Sequence, residues 1–342
     1  MTELRPLQGL SLRGSAAAFP HELSPDAPQL DNAQLLRWLS DRGLRVPVGA
    51  QEARRRWGVW RRSWARWPGT DTPTVTTQAL AGAAGRRALQ RTGWAPESLG
   101  LCVVATSTPD RITQSLAAKV GVELGLRCAT LDVRGGGVGG LQAWLIATSW
   151  LSHRCRRALV IAVDCPSSMV DPDDAIALLL YADGAAAIAL EHDGSPGGLV
   201  WGALGTREGA GTSFTVPGPL PPTAEALRAG AYRFRTPDAT YTDALRSAWE
   251  EISAALARQA GPIDWFAPYR VTPRQIAAAA GALGVPPERT HADLSAHGCT
   301  GASGCLLSVH ELLSSGRLPP GTLLASSAVG GGICLGGLLW RC

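Results

Sequence analysis

One glycine-rich turn is the place where this chain could do chemistry. Leu131–Gly140 reads LDVRGGGVGG, and the apolar segment LQAWLIATSWL follows at once. A strand, a tight glycine turn and a helix form the layout of a nucleophile elbow or of an anion-binding helix N-terminus. Glycines there let the backbone adopt positive φ and approach a ligand closely. No Cys, Ser or Thr stands at the tip, so the turn offers amides without a nucleophilic side chain.

Thiols occur elsewhere, and two of them are candidates for reactive groups. Cys299 is either a relocated nucleophile near His297 or a small buried filler, and Cys334 is open to the same two interpretations. Burial in apolar surroundings raises a thiol pKa, which favours the filler. The eight cysteines form no CxxC pair and no His/Cys grouping with zinc-ligand spacing. We therefore expect no metal site and reduced cysteines.

A second candidate for binding chemistry is Arg54–Trp67, which reads RRRWGVWRRSWARW and holds four tryptophans and six arginines. One interpretation is a surface loop whose aromatic rings pack inward while the arginines stay in water. The other is a platform for a phosphorylated, base-bearing ligand such as coenzyme A, because Arg binds phosphate and Trp stacks on adenine. Single-stranded nucleic acid would use the same chemistry, but nothing else in the sequence supports it.

These residues need a frame, and apolar periodicity predicts strands alternating with helices. Such alternation is typical of a mainly parallel sheet covered by helices. The predicted strands are Leu7–Phe19, Leu101–Ser107, Cys128–Val133, Ala158–Asp164, Asp264–Pro268, Gly321–Ser327 and a closing strand to Trp340. The predicted helices are Leu30–Leu39, Thr74–Thr92, Ser115–Leu124, Thr242–Gln259, Pro273–Leu283 and Ser303–Leu313.

Two hairpin-like pairs close the two halves of the chain. Asp183-Gly184 divides the apolar runs of Ala175–Glu191 and predicts a hairpin turn there. Leu323–Trp340 forms the second pair around Val329–Gly332. This repetition indicates an internal duplication, with Gly194–Ala239 as the connection between the halves plus a surface excursion.

Composition excludes several classes of protein. The chain has 342 residues, 45% hydrophobic and 18% charged, with a net charge of +4. This is the profile of a globular chain with a large core, and the charge is too small to indicate nucleic-acid binding. The N-terminus lacks the apolar core of a signal peptide, and no apolar run reaches the length of a membrane span. We therefore expect a cytoplasmic protein without membrane or nucleic-acid partners.

Five motifs in order resemble those of a thiolase-fold condensing enzyme of the ketoacyl-ACP synthase III type. The resemblance runs from Leu7 to Arg341. It implies an α/β, thiolase-like fold in which two duplicated βαβαβαββ halves, residues 1–195 and 196–342, form a five-layered α-β-α-β-α core. The motifs are LDVRGGGVGG, YADGAAAIAL (181–190), DWFAPYRVTPRQI (264–276), HGCTGASG (297–304) and VGGGICLGG (329–337).

Enzymes of this family use a Cys, a His and an Asn, and the resemblance implies that all three are replaced here. The Cys position falls on Gly137, the His position on Tyr269 and the Asn position on Cys299. Glycine cannot form a thioester, and a tyrosine hydroxyl with a reference pKa of roughly 10 is a poor base at neutral pH. Loss of such a unit costs on the order of 10^6 in rate in the comparable serine protease case.

The binding scaffold resembles the family more closely. The amides of Gly137 and Gly331 fall where the family builds its oxyanion hole. His297 matches a family histidine outside the catalytic trio, Asp183 and Gly184 shape the turn, and Arg134 binds an anion or forms a salt bridge at a dimer interface.

The resemblance also assigns four residues to substrate binding. Arg56 matches an arginine that contacts the coenzyme A nucleotide, and Arg274 matches a basic residue near the tunnel mouth. Ile112 matches a bulky residue that a partner subunit lends to the acyl pocket. Thr272 replaces an Asn that orients pantetheine, and Ala175 replaces a second nucleotide-contacting arginine.

Two functions follow as hypotheses. The first is a non-condensing subunit that pairs with an active ketosynthase in secondary-metabolite or fatty-acid-type biosynthesis. The second is an acyltransferase that moves an acyl group from coenzyme A or an acyl carrier protein to an O, N or C nucleophile, assisted by Tyr269 or Cys299. Either would bind a coenzyme A or phosphopantetheine thioester as ligand, with no tightly bound cofactor, and would form a homodimer or a heterodimer.

Overall fold

A computed structural model describes residues 1–207, 216–234, 236, 239–259 and 261–342. Part of the predicted connection Gly194–Ala239 lies outside these residues. The strands are β1 (Thr2–Leu4), β2 (Leu7–Gln8), β3 (Leu10–Ala18), β4 (Gln29–Asp31), β5 (Arg61–Ser63), β6 (Leu101–Ala105), β7 (Ala129–Val133), β8 (Arg157–Asp164), β9 (Gly184–His192), β10 (Gly198–Thr206), β11 (Trp265–Phe266), β12 (Leu323–Gly330) and β13 (Cys334–Arg341). The α-helices are α1 (Pro20–Leu23), α2 (Asn32–Asp41), α3 (Ala50–Trp57), α4 (Thr77–Thr92), α5 (Leu116–Glu123), α6 (Gly139–Trp150), α7 (Ala175–Leu180), α8 (Ala224–Arg228), α9 (Ala239–Gln259), α10 (Pro273–Ala282) and α11 (Gly304–Ser314).

The first large sheet has the strand order β3-β9-β8-β6-β7. Strands β8, β6 and β7 run parallel, and β9 runs antiparallel to both β8 and β3. Strands β6 and β8 read LCVVA and RALVIAVD and are almost wholly buried. Such continuous apolar runs are what a strand covered on both faces requires.

The second large sheet repeats this order. Strand β10 pairs antiparallel with β13, β13 pairs antiparallel with β12, and β12 pairs parallel with β11. An isolated parallel bridge from Phe266 to Thr290 continues the sheet on the far side of β11. Strands β3, β9, β8 and β6 therefore correspond to β10, β13, β12 and β11. The predicted internal duplication is visible in the pairing of the strands.

Helices separate and cover the two sheets. Helix α6 contacts β6 and β8 of the first sheet and β12 and β13 of the second, and α11 contacts β3, β9 and β12. On the outer faces, α4 and α5 pack on the first sheet, and α9 packs on β12 and β13 with α10 beside it. The layers therefore alternate helix, sheet, helix, sheet, helix, as the resemblance implied. No helix in the described ranges is both long enough and apolar enough to cross a membrane.

The predicted hairpin around Asp183-Gly184 is wrong. The first apolar run is helix α7, capped by the Asp174 side chain, and only the second run is a strand, β9. The carboxylate of Asp183 instead accepts hydrogen bonds from the Ala65 amide at 2.6 Å and from the amide and hydroxyl of Ser167. Its burial raises the pKa of Asp183 to about 7.

The arginine- and tryptophan-rich segment is half regular structure and half loop, so its interpretation as a surface loop holds only in part. It spans the end of α3 and strand β5. Trp64 is buried, and Arg62 is buried with it, donating to Asn32 Oδ1 at 2.6 Å and to the Leu179 carbonyl at 3.0 Å. Arg54 and Arg56 remain exposed and lie over the rings of neighbouring tryptophans.

The two central helices begin in the same way. A short 3-10 turn, Gly136–Val138, precedes α6, and another, Gly301–Ser303, precedes α11. Each turn starts at a glycine with φ of +57°, a conformation that other residues rarely adopt. The N-termini of α6 and α11, one in each half of the chain, are thus preceded by the same type of glycine-initiated turn.

Candidate functional site

A cavity of about 470 Å³ lies where the glycine turns of the two halves meet. It combines backbone amides, a few polar side chains and several apolar ones, which is the usual makeup of a small-molecule site. The lining residues are Ser107, Thr108, Arg134, Gly135, Gly136, Gly137, Asp164, Pro166, Met169, Tyr181, Val216, Phe234, Tyr269, Gly301, Gly331, Gly332 and Cys334.

The two turns approach each other so closely that side chains would not fit. A β-carbon on Gly136 would lie 3.1 Å from the amide nitrogen of Gly331, and one on Gly330 would lie 3.0 Å from the amide nitrogen of Gly137. This close approach places both predicted oxyanion residues, Gly137 and Gly331, at one wall of the cavity. The N-terminus of α6 follows directly and adds its partial positive charge.

Tyr269 faces Gly137 across this wall. It follows β11, and its amide donates to the Ser327 carbonyl of β12 at 2.8 Å. A β-carbon on Gly137 would lie 2.6 Å from Cζ of the ring, and one on Gly304 would lie 2.9 Å from Cδ2. The phenol ring therefore fits between two glycines, Gly137 in the turn before α6 and Gly304 at the first position of α11.

Cys299 lies next to Tyr269 at the floor of the cavity but is not itself among the lining residues. Its Sγ lies 3.3 Å from the Tyr269 hydroxyl, at hydrogen-bond distance, and both residues are buried. Backbone bonds hold Cys299 in place, with its amide donating to the Leu180 carbonyl and its carbonyl accepting from the Ala182 amide. Burial raises the pKa of the thiol and raises that of the Tyr269 phenol well above its usual range. Both groups are neutral at physiological pH, so the floor supplies hydrogen bonds rather than a base or a thiolate.

Asp164 is a cavity residue that the sequence reasoning missed. It ends strand β8, and its Oδ1 accepts hydrogen bonds from the Ser107 and Thr108 amides and from the hydroxyls of Thr106 and Thr108. Its Oδ2 accepts from the Ala302 amide at 2.7 Å, in the turn before α11. The available signal was its position, because ligands gather at the carboxyl ends of parallel strands. Burial raises the pKa of Asp164, opposed by these donors.

The cavity mouth is lined by an aromatic pair and by charge. The Phe234 and Tyr181 rings meet edge to face with centroids 5.1 Å apart. Arg134 is exposed at the rim, and Cys334 is partly buried beside it. A polar or anionic group would be accommodated at the Arg134 side and an apolar one against the rings.

The four predicted binding residues lie outside this lining. Arg56 and Arg274 are exposed, and Ile112 is 64% exposed. The Thr272 hydroxyl caps α10, accepting from the Gln275 amide at 3.4 Å and donating to the Gln275 side chain at 2.9 Å. Their roles toward a ligand stay predictions.

His297 is separated from the floor despite its nearness in sequence to Cys299. Its ring stacks on Phe19 with centroids 3.7 Å apart. Burial, and next the charge of Arg270, lower the pKa of His297 to about 4. Within the described ranges, no three or more His, Cys, Asp or Glu side chains gather in a way that could hold a metal ion.

Comparison with known sequences identifies related proteins over nearly the whole chain. Residues 131–207 match the family model 3-oxoacyl-[acyl-carrier-protein] synthase III, and residues 254–342 match the model of its C-terminal part. A β-ketoacyl-[acyl-carrier-protein] synthase III of Synechococcus sp. strain WH7803 is 34% identical, covering 98% of this chain and 97% of the relative. A synthase III of Streptomyces coelicolor is 32% identical over 78% of this chain and 79% of the relative.

Solved structures are similar in fold. A 3-oxoacyl-[acyl-carrier-protein] synthase III from Aquifex aeolicus superposes with a TM-score of 0.82 at 22% identity, covering 97% of this chain and 100% of the other. The priming β-ketosynthase of the R1128 polyketide pathway gives a TM-score of 0.82 at 23% identity, covering 99% and 97%. These likenesses confirm the predicted thiolase-like α/β fold.

Proposed function

Because the chain belongs to the 3-oxoacyl-[acyl-carrier-protein] synthase III family, we propose that it binds acyl thioesters without condensing them. In this proposal Gly137, Tyr269 and Cys299 stand at the family's Cys, His and Asn positions. The chain would then serve as a subunit that pairs with an active ketosynthase in fatty-acid-type or polyketide biosynthesis. The ligand would be the thioester of coenzyme A or of an acyl carrier protein.

The observation that carries the proposal is the Tyr269 ring beside Gly137. An acyl-enzyme requires a nucleophilic side chain at the helix N-terminus. Here the volume that such a side chain would enter is filled by the phenol, whose nearest ring carbon would lie 2.6 Å from a β-carbon at 137. Decarboxylation also needs donors held toward a developing enolate. A buried neutral phenol and a protonated thiol can donate, but neither can accept the acyl group through the usual two-step chemistry.

Pairing with a second subunit is supported by the edge of the first sheet. Strand β7 ends that sheet and, within the described ranges, pairs only with β6. Val122, near the end of helix α5, which packs on β7, is 83% exposed, and Ile112, in the segment before that helix, is 64% exposed. An unpaired edge strand and exposed apolar side chains are both features that proteins normally cover.

A first experiment measures covalent and turnover chemistry directly. The purified chain is incubated with acetyl- and malonyl-coenzyme A, weighed intact and assayed for carbon dioxide release. We expect no adduct and no decarboxylation, while equilibrium binding of coenzyme A persists. Malonyl decarboxylation by the chain alone would refute the proposal.

A second experiment tests the partnership. Co-expression with an active synthase III homologue from the same genome is expected to yield a mixed dimer on light scattering. Exclusive homodimers that leave the homologue's activity unchanged would count against the paired-subunit role.

The alternative is direct acyl transfer, and the open cavity with its Tyr269–Cys299 pair is the observation that favours it. An O, N or C nucleophile would attack the thioester carbonyl, whose oxygen would take the negative charge toward the Gly137 and Gly331 amides. Collapse would break the C–S bond and release the thiolate, which takes up the proton lost by the nucleophile. A stable adduct that disappears in Cys299→Ser would instead indicate an acyl-enzyme on Cys299.

A further inference from the structure

A second cavity, of about 440 Å³, lies between strand β3, helix α4 and helix α11. It shares no lining residue with the cavity that contains Tyr269. Its wall holds charged and titratable side chains from four parts of the chain. Those used in the argument are Glu22, Arg87, Arg91, His297, His310 and Glu311.

The two arginines project from adjacent turns of α4 and differ in how their charge is balanced. Arg87 donates to Glu22 Oε2 at 2.6 Å and to the Ala17 carbonyl at 2.7 Å. Arg91 donates to the Ser15 carbonyl at 2.6 Å, and in the described part of the chain no carboxylate lies within 4 Å of it. Arg91 is exposed, and among the described residues no carboxylate balances its charge.

The remaining carboxylate of the wall is already engaged. Glu311 accepts from the guanidinium of Arg270, which is fully buried, and lies 2.7 Å from His291 Nε2. It is therefore committed to a cation behind the wall. The cavity itself keeps an excess of positive charge.

His310 adds an imidazole to the wall. Its Nδ1 lies 2.9 Å from Ser15 Oγ, 3.2 Å from Ser314 Oγ and 3.5 Å from an NH group of Arg91. Because a guanidinium can only donate, Nδ1 is the acceptor, and the proton of the neutral ring is on Nε2. Among the described residues, no group forms a hydrogen bond with this Nε2–H. The same is true of both ring nitrogens of His297.

Both imidazole rings of the cavity are held in the neutral form. Burial, and next Arg91, lower the pKa of His310 to about 4, with Glu311, Arg270 and Glu22 also facing it. His297 is lowered similarly by burial and Arg270, with Glu311, His21 and Asp293 around it. Both rings are neutral at pH 7, so a bound anion would meet neutral donors beside a cation and would favour proton uptake.

We propose that this cavity binds a small oxyanion, a phosphate group or a carboxylate, between Arg91, Arg87 and the Nε2–H of His310. The planar fork of a guanidinium matches both groups and gives charge-assisted hydrogen bonds. The excess positive charge of the wall is what such a ligand would neutralise. This assignment is independent of what the Tyr269 cavity binds.

The test is calorimetric titration of the whole chain with inorganic phosphate and, separately, with acetate, against sodium chloride of equal ionic strength. We expect saturable binding of at least one oxyanion and none of chloride. Binding of phosphate alone identifies a phosphoryl site, acetate alone a carboxylate site, and both a general oxyanion site. Absence of saturable binding of either overturns the proposal.

Variants on one helix locate the site. Arg91→Gln is expected to weaken binding by about tenfold or more, since a charge-assisted hydrogen bond is lost. Arg86→Gln is the matched control, because Arg86 lies on the same helix outside the cavity lining and pairs with Glu123 at 2.9 Å. Equal affinity of the two variants would overturn the proposal. NMR titration of the imidazole signals gives a second readout, in which the bound oxyanion should raise the pKa of His310.

Discussion

The phenol ring of Tyr269 occupies the space that a side chain at position 137 would need. A β-carbon on Gly137 would lie 2.6 Å from Cζ, 2.7 Å from Cε1 and 2.9 Å from the hydroxyl oxygen. Real β-carbons do not approach other atoms so closely, and the ring is held between the two central helices in a packed interior. The two positions are therefore sterically coupled, and a change at one has to be read together with the residue at the other.

We expect Gly137→Cys to destabilise the protein by about 1–3 kcal/mol, because the added atoms force the ring to move. It should also fail to restore condensation. Denaturant unfolding measures the first effect, and malonyl decarboxylation measures the second. Gly281→Cys is the control, since a β-carbon there meets nothing within 4 Å.

Adding Tyr269→His to Gly137→Cys should recover much of that stability, because the smaller ring makes room for the new side chain. The double-mutant cycle then shows strong non-additivity. Additive effects of the two changes would contradict the steric coupling.

Cys299 should react slowly with alkylating agents. Burial raises the pKa of both Cys299 and Cys334, but Cys334 is only partly buried. At pH 8 we expect iodoacetamide to label Cys334 at least about tenfold faster, as measured by peptide mass spectrometry, because alkylation requires an accessible thiolate. Labelling of Cys299 at the faster rate would instead indicate an activated nucleophile.

The stability of the fold should depend on pH through His297. The folded chain holds the pKa of this ring near about 4, whereas an unfolded histidine titrates near roughly 6.5. Between these two pH values the unfolded chain therefore binds more protons than the folded one. The contribution of His297 to the free energy of unfolding is lost as the pH falls through that window, by about 1.4 kcal/mol per pH unit. Asp183, with its pKa raised to about 7, acts in the opposite direction.

The effect of this one ring is measured by comparing a variant with the parent chain. In urea unfolding between pH 7 and pH 4.5, the free energy of unfolding of His297→Gln should fall less with decreasing pH than that of the parent, because the variant has no ring to protonate. Parallel curves for the two proteins would mean that the ring is protonated without penalty in the folded state.

Ile112→Glu should weaken self-association or pairing with a homologue. The substitution replaces an exposed apolar side chain, in the segment before α5, by a charge that a partner covering it would have to desolvate. Sedimentation velocity at several concentrations measures the effect. Leu227→Glu is the control, since Leu227 is 60% exposed on α8, away from that strand. Equal dissociation by both variants would argue against an interface at β7.

Most helices and strands could be predicted from the sequence, because capping residues and apolar periodicity agree with how these elements pack. The predicted helices over 30–39 and 115–124 are present, with Asp31 capping α2 through the Gln34 amide and Ser115 capping α5 through the Ala118 amide. The hairpin at Asp183 failed because an apolar run of six residues suits a buried helix turn as well as a strand. Only the cap from Asp174, which the sequence reasoning did not use, distinguishes the two.

The site was predicted in part. Sequence motifs indicated that Gly137, Tyr269, Cys299 and Gly331 belong together. The structure brings the two glycines and Tyr269 to one cavity and places Cys299 in contact with Tyr269, outside the lining. The direction of the Tyr269 ring could not be read from sequence, because it depends on the space left by glycines in two other segments. Asp164 was missed for a related reason, since its five donors come from both halves of the chain.

The first strands of the chain limit how its halves can be separated. Residues 2–8 pair with β10 in the second sheet, and the chain passes into the first sheet only at Leu10, after a glycine at φ of +81°. A fragment cut after residue 195 would carry two strands whose partner had been removed, while the remainder would expose the edge they had covered. The two halves thus share a folding pattern, but they are not two separable domains. Splitting the gene or exchanging a half at that boundary would require the amino-terminal strands to be moved to the second half.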